Sequence, residues 1–202
     1  MGPIVVETER LCLRPWAIED ADEFAVMARD PAVVEYITGG RPLTDAEVAE
    51  FIERQMVTQE ERGWSRWAVQ LREPRDGEPA GVVGFCGPGC TFAPEVEVGW
   101  WLRAELWGRG LATEAGRAAV RHCFEVIGFP RLICCVHPDN QASRAVARKV
   151  GFRETRHFEY NGLTLVRHEL ENPLPAPPRD TGYCLDCVGA SPGSLVSSGD
   201  QE

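Results

Sequence analysis

The sequence lacks the features of several large protein classes. It has no basic, apolar leader at its start, and no stretch approaches the ~20 apolar residues that a membrane span needs. These absences predict a cytoplasmic protein without a membrane partner. Basic residues are outnumbered by acidic ones. The sequence has 21 Lys and Arg against 31 Asp and Glu, which gives a formal net charge of −10. The chain has no surplus of cations to neutralise phosphates, which argues against nucleic acid as a partner.

The sequence also lacks the spacing of a metal site. A structural zinc ion needs four ligands, and the C-x-x-C motif formed by Cys184 and Cys187 is followed by no second pair. We therefore predict no metal, and expect most of the eight cysteines to be small buried or free side chains. A metal or redox role for Cys184 and Cys187 stays open as an alternative.

The composition changes once along the chain. An apolar fraction of 44% and a charged fraction of 26% are typical of a globular domain with an ordinary core. Strand and helix patterns extend to about residue 171, and proline, glycine and serine dominate from Pro173 onward. That last segment has too little apolar surface to offset the entropy of ordering it. The sequence predicts one domain over residues 1–172 and a flexible tail over residues 173–202.

Strands and helices alternate in the predicted domain. Strand patterns occupy residues 11–14, 66–71, 79–86, 96–102, 131–136, 152–159 and 163–169. Helical patterns occupy residues 18–29, 44–61, 110–127 and 140–150, with a shorter helical piece starting at Pro31. Thr44 and Glu47 have the spacing of a capping box, and Val48, Phe51, Ile52 and Met56 are predicted to share the buried face of the helix that follows.

The loop between residues 102 and 111 has the composition of an anion site. Gly108 and Gly110 flank Arg109 just before a predicted helix. The first N–H groups of a helix have no intrahelical partner and attract anions, and glycines let a phosphate approach the backbone. No Gly-Lys-Ser/Thr follows, and Thr113 stands where a dinucleotide fingerprint needs a third small residue. These residues alone predict a phosphate-bearing ligand and leave open a plain strand-to-helix turn.

Three blocks in a fixed order make the pattern specific. The first is Arg10-Leu11-Cys12-Leu13-Arg14-Pro15. The second is Glu97-Val98-Gly99-Trp100-Trp101-Leu102, followed by Leu106-Trp107-Gly108-Arg109-Gly110-Leu111-Ala112-Thr113-Glu114-Ala115. The third is Asn140-Gln141-Ala142-Ser143-Arg144, ending in Lys149-Val150-Gly151-Phe152. Together they resemble the GNAT superfamily of N-acetyltransferases over roughly residues 4–171, and most of all its branch of ribosomal-protein N-terminal acetyltransferases. Trp107 departs from the Gln or Arg frequent in the superfamily, but an aromatic is common there in this branch.

The resemblance implies a fold, a reaction and partners. The fold is α/β (α+β), with a mixed, mostly antiparallel sheet of six to seven strands flanked by helices. The reaction is acetyl transfer from acetyl-CoA to a primary amine, by direct attack in a ternary complex. The acceptor is a protein N-terminus or a small-molecule amine, and a homodimer stays open. The alternative is a non-catalytic acyl-CoA-binding regulatory module on the same fold.

The resemblance also implies the residues that hold acetyl-CoA. Backbone N–H groups of the loop would bind its pyrophosphate, and the loop residues are Trp107, Gly108, Arg109, Gly110, Leu111, Ala112 and Thr113. Backbone groups of Trp101 and Leu102 would pair with the pantetheine arm as an added strand, which requires their strand to splay from its neighbour. Gly99 is the predicted bulge for that splay. Asn140 would contact the same arm, although an ordinary N-cap role would also explain it.

Two residues are the catalytic candidates. An amine must lose a proton when it attacks a thioester, and a carboxylate can accept that proton. Glu97 is the predicted acceptor, and Glu95 lies on the same face of the strand, so a solvated acidic face is the alternative. Ser143 is the predicted proton donor to the leaving thiolate. A covalent route through Cys134 or Cys135 is disfavoured, because the resembling superfamily transfers the acetyl group directly. The acceptor-side loops would be residues 36–43 and 158–163.

Overall fold

The computed structural model describes residues 5–173. The strands in this range are β1 (Val6–Glu7), β2 (Leu11–Arg14), β3 (Trp67–Leu71), β4 (Val82–Gly89), β5 (Glu97–Leu102), β6 (Arg131–Val136), β7 (Arg153–Tyr160) and β8 (Leu163–Glu171). The helices are α1 (Ala21–Ala28), α2 (Pro31–Thr38), α3 (Asp45–Arg62), α4 (Leu111–His122) and α5 (Gln141–Val150). Cys184, Cys187 and all but the first residue of the predicted tail lie outside the described range.

One sheet contains all the strands, in the order β1-β2-β3-β4-β5-β6-β8-β7. Neighbours pair antiparallel except β5 and β6, which are parallel. The predicted mixed, mostly antiparallel sheet is confirmed, but it has eight strands among the described residues rather than six to seven. The extra strand is β1, which pairs with β2 through Val6 and Leu13. Two residues are too short to give an alternating pattern, so the sequence did not reveal it.

Helices cover both faces of the sheet. Ala115 and Ala119 of α4 and Ala147 of α5 belong to the core cluster on one face. Phe24 of α1 and Phe51 of α3 belong to the cluster on the other face. Because successive side chains of a strand point to opposite faces of the sheet, the strands contribute side chains to both clusters. The sheet is therefore packed against helices on both faces.

The start of α3 forms as its sequence predicts, and its buried face differs from the prediction at one position. The hydroxyl of Thr44 accepts the N–H of Glu47, whose side chain caps Thr44 in return, and Gly63 ends the helix with φ of 75°. Met56, a predicted core residue, is 38% exposed, whereas Gln55 is 4% exposed. The amide of Gln55 accepts the N–H of Arg66 at 3.1 Å. A buried polar group here binds the backbone entering β3, which apolar periodicity alone does not reveal.

The predicted helix over residues 110–127 is two pieces. α4 ends at His122, and a π-helical turn occupies Cys123–Ile127. The wider turn changes the phase of the side chains. Val126, which a continuous helix would place on the same face as Ala115 and Ala119, is therefore 56% exposed, while Ile127 is buried. None of the helices within residues 5–173 is long and apolar enough to cross a membrane.

Candidate active site

A wedge-shaped gap opens in the sheet between β5 and β6. β5 pairs with β4 over its whole length, from Glu97 opposite Gly89 to Leu102 opposite Gly84. With β6 it pairs at Glu97 and Ile133, next to the bond from the Ile133 N–H to the Val96 oxygen (3.0 Å). The strands separate beyond that point, as the sequence predicted.

No bulge causes the separation. The bulge predicted at Gly99 is absent, because Gly99 pairs in continuous register with Gly87. β5 remains paired with β4 along its whole length, whereas its pairing with β6 ends after Glu97.

Alternate residues of β5 turn their backbone groups toward the gap. The oxygen of Val96 bonds to β6, while the N–H of Arg103 bonds to Val83 at the β4 side (2.9 Å). Because N–H and C=O directions alternate along a strand, the groups that face the gap belong to Val98, Trp100 and Leu102.

The backbone groups of the two residues predicted to pair with pantetheine therefore point in opposite directions. Trp101 directs its backbone groups to β4, and its oxygen lies against Gly84. Leu102 faces the gap, where its oxygen accepts the indole N–H of Trp107 at 2.8 Å.

The glycine loop has the conformation that its sequence predicts. Gly108 and Gly110 have φ of 75° and 80°, values that favour glycine. Gly110 is the N-cap of α4 and supplies no side-chain cap. The first helical bond runs from the N–H of Glu114 to the oxygen of Gly110 (3.0 Å). The N–H groups of Leu111, Ala112 and Thr113 precede that bond and so have no partner within the helix, which is the arrangement that an anion site at a helix N-terminus requires.

A salt bridge that the sequence did not reveal braces this loop. Glu114, in the first turn of α4, accepts hydrogen bonds from the Thr8 hydroxyl (2.6 Å), the Arg10 N–H (2.9 Å) and Arg10 Nε (2.7 Å). Arg10 Nη1 also donates to the Arg109 oxygen at 3.0 Å. Burial opposes charge on Glu114, but these donors outweigh it and lower its pKa. The residues are a hundred positions apart, so no local pattern pairs them.

The side chains of the loop point in different directions. Arg109 pairs with Glu78 at 2.7 Å, so its guanidinium is directed to the loop after β3. Trp107 is 49% exposed although its indole N–H is bonded. Its ring therefore forms an apolar surface at the rim of the gap.

Glu97 is buried beside the gap and ion-paired. It is 9% exposed, and its Oε2 accepts a hydrogen bond from Arg66 Nη2 at 2.7 Å. Arg66 Nη2 also donates to the Thr91 hydroxyl at 2.8 Å. The alternative of a solvated acidic face therefore fails for Glu97.

Glu95 is committed elsewhere. It is held by both Nη atoms of Arg167 and by Arg131 at 3.0 Å. The hydrogen bonds from Arg167 outweigh burial and lower the pKa of Glu95. Glu95 is thus occupied by structural ion pairs, whereas Glu97, two positions later, pairs with Arg66.

Asn140 and Ser143 lie at the start of α5, on the α4–α5 face. The Asn140 side chain accepts the Ser143 N–H at 2.9 Å, so its N-cap role is present. Ser143 Oγ accepts the indole N–H of Trp100 at 3.0 Å. That bond uses a lone pair of Ser143 and leaves its O–H able to donate.

The catalytic candidates thus lie on opposite faces of the sheet. Glu97 alternates with Gly99 and Trp101 on the face where Trp101 packs against Phe85, at 5.1 Å between ring centroids. Trp100, which bonds Ser143, points to the other face. The gap in the sheet is the passage between the two.

Aromatic contacts involve residues of both predicted acceptor-side loops. Tyr36 of α2 lies 5.2 Å from the ring of His137, which follows β6. Phe92 lies 5.7 Å from Phe158 and 4.8 Å from Tyr160. Both predicted acceptor-side loops therefore make ring contacts with segments next to β5 or β6. Within residues 5–173, no group of three His, Cys, Asp or Glu is arranged to hold a metal ion.

Comparisons with known proteins agree with this geometry. The family model described as an acetyltransferase (GNAT) domain matches residues 10–153. The uncharacterized N-acetyltransferase YoaA of Bacillus subtilis (strain 168) is 28% identical over 151 residues, which cover 74% of this chain and 83% of YoaA. An acetyltransferase structure from Agrobacterium tumefaciens str. C58 is 26% identical, with a TM-score of 0.69, and covers 85% of this chain and 95% of its own.

A further likeness concerns the fold alone. The structure of RimL, a ribosomal L7/L12 alpha-N-protein acetyltransferase in complex with coenzyme A, has a TM-score of 0.68 at 16% identity. It covers 84% of this chain and 98% of its own.

Proposed function

The chain belongs to the GNAT acetyltransferase family, and we propose that this acetyl-CoA-dependent N-acetyltransferase acetylates a primary amine by direct attack in a ternary complex. The acceptor is a protein N-terminus or a small-molecule amine. The observation that supports the proposal best is the gap between β5 and β6, which opens beyond Glu97 and lies beside the glycine loop.

The donor occupies the loop and the gap. N–H groups of residues 109–113 bind the pyrophosphate, and the positive end of α4 adds to the attraction. The pantetheine arm lies along the gap edge of β5, where the backbone groups of Val98 and Trp100 take the place of a missing strand. RimL, which has this fold, has been solved with coenzyme A, and this fits acetyl-CoA as the co-substrate.

The reaction needs one proton acceptor and one proton donor. The amine nitrogen attacks the thioester carbonyl carbon, a C–N bond forms, and the C–S bond breaks. The Glu97 carboxylate takes the proton that the amine loses, and the Ser143 hydroxyl gives a proton to the departing CoA thiolate. Glu97 and Ser143 lie on opposite faces of the sheet. This supports their separate roles, because in this mechanism the amine and the thioester enter the gap from opposite sides.

A covalent acetyl-cysteine intermediate fits the site poorly. Nucleophilic attack needs a thiolate. Burial raises the pKa of Cys134 well above its ordinary value. Burial, and then the charge of Glu97, raise the pKa of Cys135. Direct attack by the amine avoids both thiols.

A CoA-release screen tests the proposal. Purified protein is incubated with acetyl-CoA and a panel of peptide N-termini and small primary amines, and free thiol is measured. We expect amine-dependent release with at least one class, and a product heavier by one acetyl group. Calorimetry with CoA runs alongside. Bound CoA without release across the panel would favour the non-catalytic acyl-CoA-binding module.

A further inference from the structure

Arg66, just before β3, is the cation that pairs with Glu97. The pair is largely buried, with side-chain exposures of 15% for Arg66 and 12% for Glu97. The guanidinium lies 6.0 Å from the centroid of the Phe85 ring and shares its Nη2 between Glu97 and Thr91. Among residues 5–173, hydrogen bonds to the Glu97 carboxylate reach Oε2, which leaves Oε1 without a bond from the protein.

A glycine makes room for this guanidinium. Gly89 is paired with Glu97 across β4 and β5. A Cβ at Gly89 would lie 2.6 Å from Cζ and 2.7 Å from Nη2 of Arg66, closer than real Cβ atoms approach. Gly99 is next to the same side chain, but a Cβ there would lie 3.4 Å from Arg66 Nε, an ordinary contact. A side chain at position 89 would therefore push the Arg66 guanidinium out of its present place beside Glu97.

We propose that Arg66 is a positioning residue, which binds Glu97 Oε2 so that Oε1 is directed to the attacking amine, and that Gly89 is glycine to admit it. This inference rests on the proposed function, because it assigns Glu97 the proton. A buried carboxylate without its cation would turn to other donors. A displacement of about 1 Å in a reacting group costs on the order of 100-fold in rate.

Substitutions of Arg66 give the first test. We expect Arg66→Gln to lower kcat by about 10- to 100-fold and to leave the KM for acetyl-CoA within about two-fold, because the glycine loop is unchanged. Arg66→Lys should retain part of the rate, since an ammonium keeps the charge without the planar fork. Arg62→Gln is the matched control. Arg62 contacts Cys90 and Trp64 rather than Glu97.

A double-mutant cycle separates positioning from general damage. In a Glu97→Gln background, Arg66→Gln should cost little further rate, because the group that it positions has gone. Equal losses in both backgrounds would overturn the inference. An enzyme that acetylates no amine at all would instead overturn the proposed function.

Substitutions of Gly89 and Gly99 give a test in which Arg66 itself is unchanged. Gly89→Ala should reproduce the kcat loss of Arg66→Gln. The fold should be retained, because the atoms nearest to the new methyl group would be those of the Arg66 guanidinium, which is the end of a flexible side chain. Gly99→Ala, on the same face, should have near wild-type kcat. Thermal melts check that both variants fold. Full activity in a folded Gly89→Ala protein would contradict the assignment.

Discussion

Glu97 and Ile133 are the register pair at which β5 joins β6 among the described residues, and the sheet opens immediately beyond them. Glu97 therefore lies at the narrow end of the gap, with its backbone groups directed to β4 and its carboxylate buried beside the gap. Arg66, just before β3, holds that carboxylate, so the position of the proposed proton acceptor depends on the sheet itself. Under the proposed function, this arrangement sets where an amine would stand to attack a thioester in the gap.

The bond between Trp100 and Ser143 separates two explanations of Ser143. If Ser143 protonates the thiolate, Ser143→Ala should lower kcat by about 10- to 100-fold, while Trp100→Phe, which removes the indole donor and shortens the ring system, should cost much less. Steady-state kinetics with a saturating acceptor measure both. Equal and non-additive losses in the two variants would show that Ser143 serves only to hold the indole.

Loss of the brace between Glu114 and Arg10 should weaken binding of the donor. Glu114→Gln removes a charged acceptor of several hydrogen bonds, so we expect a loss of about 2 kcal/mol in the free energy of unfolding. A loosened loop should raise the KM for acetyl-CoA by about 3- to 10-fold. Glu78→Gln, which removes the partner of the Arg109 side chain, is the control and should change neither quantity much. Denaturant melts and kinetics decide.

Acid should remove the contribution of Glu47. Hydrogen bonds from Arg41, and then from the Thr44 backbone, lower the pKa of Glu47 to about 2 from 4.5. A carboxyl with a lowered folded-state pKa stabilises above its unfolded value, and this stability is lost as the pH falls through the folded value. Glu47→Gln should therefore lower the Tm by about 2 °C at pH 7, and the difference should shrink between pH 4.5 and pH 2.

A control on the same helix checks that interpretation. Glu50→Gln removes an exposed carboxylate that lies 3.5 Å from Arg54, and its Tm should stay close to wild type over the same range. A Glu47→Gln difference that stays constant to pH 2 would mean that packing, and not charge, is lost.

The sequence predicted helix starts correctly where a capping residue or a glycine marks them. Thr44 and Glu47 begin α3 as their spacing indicates, and Gly110 begins α4. The predictions that depended on periodicity alone were less accurate. Val126 is exposed because a π turn changes the helical phase, and Gln55 replaces Met56 in the core because it binds backbone.

The candidate site was predictable where its parts are close in sequence. The loop over residues 107–113 and the Glu97 strand could be found, since glycine, charge and order are visible along the chain. The partners of those residues could not. Arg66 reaches Glu97 from β3, and Arg10 reaches Glu114 from the edge of the sheet. The backbone alternation that turns Trp101 toward β4 also needs the register, which a sequence does not give.

Calorimetric titration of acetyl-CoA into a Gly110→Asp variant tests the central claim most directly. Aspartate is among the non-glycine residues found most often at positive φ, and it would place an anion at the proposed pyrophosphate site. Gly162→Asp is the matched control, since Gly162 has φ of 75° and open space around it. We expect Gly110→Asp to weaken binding by at least about 10-fold while melting like Gly162→Asp, and Gly162→Asp to bind like wild type. Equal affinity in all three proteins would contradict the assignment of the glycine loop.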